Sequence, residues 1–141
     1  IAHQTYPLRH SLLRKGKPLS SCQFEKDKSL ETIHLGAFDS EKLIGIISAF
    51  LMNCPDYPKK TGVQLRALAV EYKYQRIGIA SKLINQIISD IQKKLNPDCI
   101  WLNARIAANE LYKLNGFNYL GSPFEINGIG MHQRFIKFFS K

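Results

Sequence analysis

The chain of 141 residues holds only three cysteines, Cys22, Cys54 and Cys99, and no two of them share a CxxC spacing. An odd, unpatterned set gives neither a disulfide framework nor a zinc site, so reduced thiols and a cytoplasmic setting are expected. His3, His10, His34 and His132 likewise lack metal-ligand spacing, and no metal is expected. The longest apolar run, Leu43 to Met52, is about half of what a bilayer requires. It contains Gly45 and Ser48, and so reads as a buried strand rather than a membrane span. No leader pattern is visible, and Ile1 in place of Met leaves room for residues before it. Acid is the scarcer charge, 11 Asp and Glu against 20 Lys and Arg, for a formal net charge of +9. Such a balance attracts polyanions. The basic residues are nevertheless scattered, without a run of five and without interleaved aromatics that would stack bases, so a solvated basic surface is expected and nucleic acid is not.

What is present is ordinary for a globular chain: 45% hydrophobic and 22% charged residues, enough for one domain over 1–141 with a sizeable core. Thr5 to Arg14 predicts a first helix with Thr5 as cap and Pro7 in its first turn, ended by Gly16. Lys17 to Ser29 is polar and mixed, a short helix or a loop over the substrate side. Ile33 to Phe38 and Leu43 to Leu51 predict a strand pair joined at Asp39 to Lys42, and Val63 to Val70 the next strand. A helix follows over Gly78 to Leu95, stopped by Asn96 and Pro97, then a strand over Cys99 to Ala104 that a crossover helix makes parallel to its predecessor. Ala107 to Asn115 is a short helix capped by Gly116. Phe117 to Leu120, Phe124 to Asn127, the Asn127-Gly128 turn and Gly130 to Phe138 complete the order. The expected architecture is α/β, a mixed, mostly antiparallel sheet of six or seven strands flanked by helices.

The most informative stretch joins the strand ending Leu68-Ala69-Val70 to the long helix through a short basic turn. From Ile79 the apolar residues Ala80, Leu83, Ile84, Ile87, Ile88, Ile91 and Leu95 keep helical spacing, so Gln75 to Ala80 opens a helix. Its first turn carries backbone N–H groups without helical partners and the positive end of the helix dipole. Gly78 and Ala80 leave room for an oxygen-rich ligand, and a diphosphate fits best. Lys73 and Arg76 flank the turn.

Gln75, Gly78 and Ala80 resemble the acyl-coenzyme A pyrophosphate loop of the GNAT superfamily of N-acyltransferases. Ala108, Tyr112, Gly116 and Phe117 resemble the family's Ala-x-x-x-Tyr-x-x-x-Gly-Phe ending. Taken with the element order, the resemblance covers nearly the whole chain from Thr5. It implies a GNAT-like fold and an acetyl-CoA-dependent N-acetyltransferase. It also implies a coenzyme held by Gln75, Arg76, Ile77, Gly78, Ile79, Ala80 and Ser81, with its pantetheine arm and thioester carbonyl met by Leu68, Ala69 and Val70. Tyr112 is implied as the proton donor to the departing thiolate. A phenol titrates near about pH 10 and a thiol near about 8.5, so the donor stays protonated at rest. The chain departs from the family at Arg105, which stands where an Asn often contacts the coenzyme. Arg105 could hold a phosphate or a substrate carboxylate, or be a surface arginine.

The general base is less well marked. The strand Val63 to Val70 lacks the family's Glu and offers only Gln64 and Arg66 among polar residues, so a water relay is one route. His34 and His132 are the candidate imidazoles, with an unperturbed titration near about 6.5 that suits the task. Glu31 and Glu71 are carboxylate alternatives, and Arg9 and Arg66 could recognise an acidic substrate. A thiol nucleophile route through Cys22, Cys54 or Cys99 has no paired histidine, so direct transfer in a ternary complex is expected. The acceptor is a primary amine of a small molecule or a protein, and a homodimer is left open. The alternatives are an inactive acyl-CoA sensor and a basic nucleic-acid-binding module.

Overall fold

The computed structural model describes residues 2–13, 24 and 27–140. The expectations placed on Arg14, Gly16, Lys17 to Ser20 and Cys22 lie outside them, and of the segment 17–29 only Phe24 and residues 27–29 are described. Six strands, β1 (Ile33–Asp39), β2 (Lys42–Leu51), β3 (Gly62–Val70), β4 (Cys99–Arg105), β5 (Asn118–Ile126) and β6 (Gly130–Phe138), form one sheet in the order β1-β2-β3-β4-β6-β5. All neighbours are antiparallel except β3 and β4. That parallel pair is bridged by α2 (Ile79–Lys94), whose length meets the need of a parallel connection for a crossover.

Helix α2 buries Leu83, Ile84, Ile87, Ile88 and Ile91 against Ile47, Val63, Leu65, Ile100 and Leu102. Five aliphatic side chains removed from water contribute roughly 10 kcal/mol gross, which holds the helix and fixes where it begins. Ile46, next to Ile47 on β2, points to the opposite face and packs with Leu8 of α1 (Ala2–Leu8) and with Ala69. Strand β2 is therefore covered on both sides, and its apolar run has no polar face.

Helix α1 differs from expectation. Thr5 lies inside it rather than at its cap, with Oγ1 donating to the Ala2 carbonyl at 2.7 Å. Pro7 lies in its second half, and the chain continues as a π-helical turn over Arg9–Leu13. Proline supplies no N–H to the helical ladder, and a widened turn is one way a helix accommodates that loss. The C-terminal pieces 117–120 and 124–127, expected apart, are one strand. Its register shifts between Leu120 and Phe124, and Gly121 takes φ +75°. Gly121, Ser122 and Pro123 form a bulge within β5 rather than a break between two strands.

Helix α3 (Asn109–Leu114) follows a 3-10 turn at Ile106–Ala108 and ends at Gly116, whose φ of +90° meets the left-handed requirement of that position. Among the described residues no helix is long and apolar enough to cross a membrane.

Candidate active site

Strands β3 and β4 pair from Gly62 with Cys99 to Leu65 with Leu102, and then part. Each keeps its outer partner: β3 continues along β2 to Val70, and β4 along β6 to Arg105. The cause of the split lies in β3. Ser48 faces Arg66 and Ile46 faces Ala69, so Ile47 stands opposite two residues, Ala67 and Leu68, and Ala67 takes φ +60°. A left-handed non-glycine residue at a bulge costs about 1 kcal/mol. Such an extra residue bends the strand and takes local backbone out of the ladder.

The gap opens into a cavity of about 460 Å³. Arg66, Ala67 and Leu68 line one side, Asn103, Ala104 and Arg105 the other, and Tyr112 and His132 also face it. Of the predicted pantetheine contacts, Leu68 lines this cavity, while Ala69 packs beneath α1 and Val70 packs in the core.

Tyr112 is 6% exposed. Its ring meets Phe117 edge-on at 5.9 Å and Phe135 at 5.8 Å. Burial pushes its phenol above the ordinary tyrosine range, because the ionised form would lose hydration. His132 is 4% exposed, and its Nδ1 is 2.8 Å from the Gly130 carbonyl. A carbonyl can only accept, so Nδ1 carries a proton, and in the neutral form of the ring the lone pair is on Nε2. That is the tautomer a proton acceptor needs.

His34, the other candidate imidazole, is not brought to the cavity. It sits directly across from Ser48 in the β1–β2 pair and accepts from the Ser48 hydroxyl at Nδ1, 2.8 Å, while Nε2–H donates to the Asp27 carbonyl at 2.9 Å. The same network holds Arg9, wholly buried, whose guanidinium forks onto Asp27 at 2.8 and 3.1 Å and donates to Ser48 at 3.1 Å. Both ring nitrogens of His34 are thus engaged in tying the N-terminal segment to the sheet. Of the two carboxylate alternatives, Glu71 pairs with Lys42 at 3.1 Å and Glu31 is exposed, and neither lines the cavity.

The turn before α2 is open. Residues Gln75 to Gly78 are exposed, Arg76 and Gly78 take positive φ, and a Cβ added at Gly78 would meet nothing within 4 Å. The amide of Lys82 donates to the Gly78 carbonyl at 3.1 Å, so the helix amides before it have no acceptor within the helix. An anion approaching there meets N–H groups and the helix dipole.

Three contacts fix the turn's position. Gln75 Nε2 donates to the Val70 carbonyl at 2.8 Å, tying the turn to the end of β3. The Tyr74 hydroxyl donates to Asp39 at 2.6 Å, and this hydrogen bond pushes its titration up. Asn115 Nδ2 donates both to Ser81 Oγ, 3.1 Å, and to the Leu111 carbonyl, 2.8 Å. Asn115 therefore couples the first turn of α2 to the helix that carries Tyr112. Sequence reasoning used Asn115 only as a helix end, and no local pattern identifies such a long-range contact.

Arg105 donates to the Leu13 carbonyl at 2.7 Å, fastening the N-terminal segment over the end of β4. Asn103 is committed elsewhere, its Oδ1 accepting from Arg134 Nε at 2.9 Å. Cys54 and Cys99 are buried together with Trp101 and Ile136, away from the cavity, and burial pushes both thiols up. No group of three His, Cys, Asp or Glu side chains that could hold a metal exists among the described residues.

Residues 20–135 match the family model of the acetyltransferase (GNAT) domain. A protein of Bacillus subtilis (strain 168) named Uncharacterized N-acetyltransferase YitI is 30% identical over 128 residues, covering 91% of this chain and 85% of that protein. An aminoglycoside 6'-N-acetyltransferase complexed with coenzyme A superposes with a TM-score of 0.76 at 18% identity, over 97% of this chain and 89% of its own. A chain of the NatC complex bound to Gag peptide and CoA does so with 0.77 at 20% identity, over 99% and 91%. Escherichia coli ElaA gives 0.75 at 12% identity, over 96% and 87%. At those identities the structural likeness speaks to the fold, while the family model and the Bacillus subtilis relative speak to descent. The chain belongs to the GNAT family of acetyltransferases and is an acyltransferase.

Proposed function

We propose that the protein transfers an acetyl group from acetyl-CoA to a primary amine by direct attack within a ternary complex. The observation that carries this reading is the parting of β3 from β4 beyond Leu65 and Leu102, with Tyr112 and His132 on the cavity so formed. The turn before α2 fits the coenzyme's phosphates. Its amides precede the first helical bond, and the space a Gly78 Cβ would occupy is empty. Gln75 serves the turn by anchoring it to Val70, and Arg76 to Ser81 supply the cradle.

Within the cavity each residue has one task. The backbone at the Ala67–Leu68 bulge polarises the thioester carbonyl as its oxygen gains charge, a contribution commonly of about 3 kcal/mol. His132 Nε2, directly or through a water, takes the proton that the attacking amine must lose. Tyr112 offers its hydroxyl to the sulfur as the C–S bond breaks and the C–N bond forms. The buried Cys54 and Cys99 give no support to an acyl-cysteine route. Arg105 acts as the fastener of the N-terminal segment, beside the cavity rather than at the phosphates.

The test is calorimetry with coenzyme A followed by a thiol-release screen of an amine panel with acetyl-CoA. Heat on binding and thiol release with at least one amine are expected. Binding without release from any amine would make the protein an acyl-CoA sensor, and no binding by folded protein would remove the proposal altogether.

A further inference from the structure

Asn115 sits where α3 ends, and its backbone amide donates to the Tyr112 carbonyl at 3.2 Å. The same carbonyl accepts from the Phe117 amide at 3.1 Å, so the residues that close the helix hold the backbone at Tyr112. The side chain of Asn115 reaches the other way, to Ser81 Oγ and to the Leu111 carbonyl. A carbonyl only accepts, so the Leu111 contact fixes which end of the side-chain amide faces inward, and both protons of Nδ2 are used.

The consequence falls on Ser81. An amide NH2 cannot accept, so the Ser81 oxygen is the acceptor in this pair and its own proton is turned elsewhere. Among the described residues that proton meets no acceptor. Ser81 is half-buried and is the third residue of α2, within the turn whose amides have no acceptor in the helix. A diphosphate seated on that turn brings the oxygen the hydroxyl lacks.

Resting on the acetyltransferase reading above, we infer that Asn115 is a positioning residue that couples the seating of the coenzyme's diphosphate to the placement of Tyr112. A phosphate oxygen accepts the Ser81 proton, and the polarised Ser81 oxygen then accepts more strongly from Asn115, since bonds in a chain reinforce one another. Asn115 holds the end of α3 to α2 and keeps the Tyr112 hydroxyl directed at the sulfur. Binding energy from the remote end of the donor is thereby used at the reacting bond, and a donor without the diphosphate loses turnover as well as affinity.

The test compares acetyl-CoA with S-acetylpantetheine, which keeps the thioester and lacks the diphosphate, on the best amine of the panel. The proteins are the wild type, Asn115→Ala, Ser81→Ala and the double variant, with melts to confirm that each is folded. Alanine at 115 keeps the backbone amide on Tyr112, so only the side-chain link is cut. With acetyl-CoA each single variant lowers kcat roughly fivefold or more, and the double variant falls no further than the worse single one, because both cut one chain. With S-acetylpantetheine kcat/KM of all four proteins agrees within about twofold. Calorimetry gives coenzyme A affinity roughly three- to tenfold weaker in each single variant. It falls further in Asn115→Asp, whose carboxylate takes the Ser81 proton and sets negative charge beside the phosphates. The inference is overturned if the losses multiply in the double variant, if Asn115→Ala slows both donors equally, as a merely structural role would, or if Asn115→Asp binds as well as Asn115→Ala. An active wild type with an unaffected Asn115→Ala sinks this inference alone. A wild type that binds coenzyme A and releases thiol with no amine sinks the acetyltransferase reading, and the placement of Tyr112 with it.

Discussion

Replacing Tyr112 by Phe removes one oxygen from the cavity and leaves the ring among Phe117 and Phe135. The hydroxyl makes no hydrogen bond within the described residues, so folding stability should change by less than about 1 kcal/mol. The catalytic loss is bounded by the phenol's acidity. An ordinary phenol is already a weaker acid than a thiol by about 1.5 pH units. Burial raises Tyr112 further, which makes complete proton transfer to a thiolate uphill. In the proposed mechanism the group therefore acts chiefly as a hydrogen-bond donor to the sulfur as charge develops. A bond to a charged partner contributes about 1.5–3 kcal/mol, and at about 1.4 kcal/mol per factor of ten that predicts a kcat lower by roughly ten- to hundredfold, at the low end of the 10²–10⁴ typical of full acid catalysis. Coenzyme A affinity should stay within about twofold, since the proposed phosphate site is at the start of α2, away from this cavity. The pH dependence has a definite sign. With the folded-state value raised, the donor remains protonated where a free tyrosine begins to ionise, so wild-type turnover should not fall between pH 9 and 10 through loss of this proton. Stability should be insensitive to this group below about pH 10 and decline above it by up to about 1.4 kcal/mol per pH unit, because the unfolded chain then binds fewer protons than the folded one. Steady-state kinetics on the best amine, with calorimetric coenzyme A binding and urea melts, supply all the readouts. A loss below threefold, or one matched by an equal loss of coenzyme affinity, would refute the reasoning.

Legibility in the sequence followed the range of the interaction. Helix α2 and its opening turn were readable because periodicity and the Gly78 signal are local, and the observed Ile79–Lys94 lies within a residue of the expected ends. The sheet was readable for the same reason, down to the hairpin at Asp39–Lys42. The bulge that parts β3 from β4 was not. Its left-handed residue is Ala67, and no glycine advertises the conformation. The two histidines are equivalent candidates in sequence, His34 on an otherwise apolar strand and His132 on the strand after the Asn127-Gly128 turn. Register alone separates them: His132 lies opposite Arg105 at the cavity, whereas His34 lies opposite Ser48 in a buried polar network. That network joins residues as far apart as Arg9 and Ser48, and sequence spacing carries no trace of it. Tyr112 is singled out by resemblance, while its burial and the consequence for its acidity follow from its packing against Phe117 and Phe135.

Three further substitutions test the remaining parts of the site. Gly78→Val forces a β-branched residue into φ +89°, costing about 1–2 kcal/mol, and places carbon where the phosphates would approach; calorimetry should show coenzyme A affinity reduced at least tenfold, and unchanged affinity would remove the phosphate role of the turn. His132→Gln keeps a polar group at the Gly130 carbonyl but lacks a proton acceptor, so kcat should fall ten- to hundredfold and the acid limb of its pH profile should flatten; an intact acid limb would assign the base elsewhere. Asp27→Ala is the structural control. It leaves the wholly buried Arg9 guanidinium without its carboxylate and costs about 3–5 kcal/mol by denaturant melt. Replacing both partners, Arg9→Met with Asp27→Leu, removes the stranded charge as well and should recover at least half of that loss. If the single and double variants are equally unstable, the pair's contribution is packing against Phe24 and Tyr6 rather than charge compensation, and the N-terminal segment is held to the sheet by its aromatic contacts.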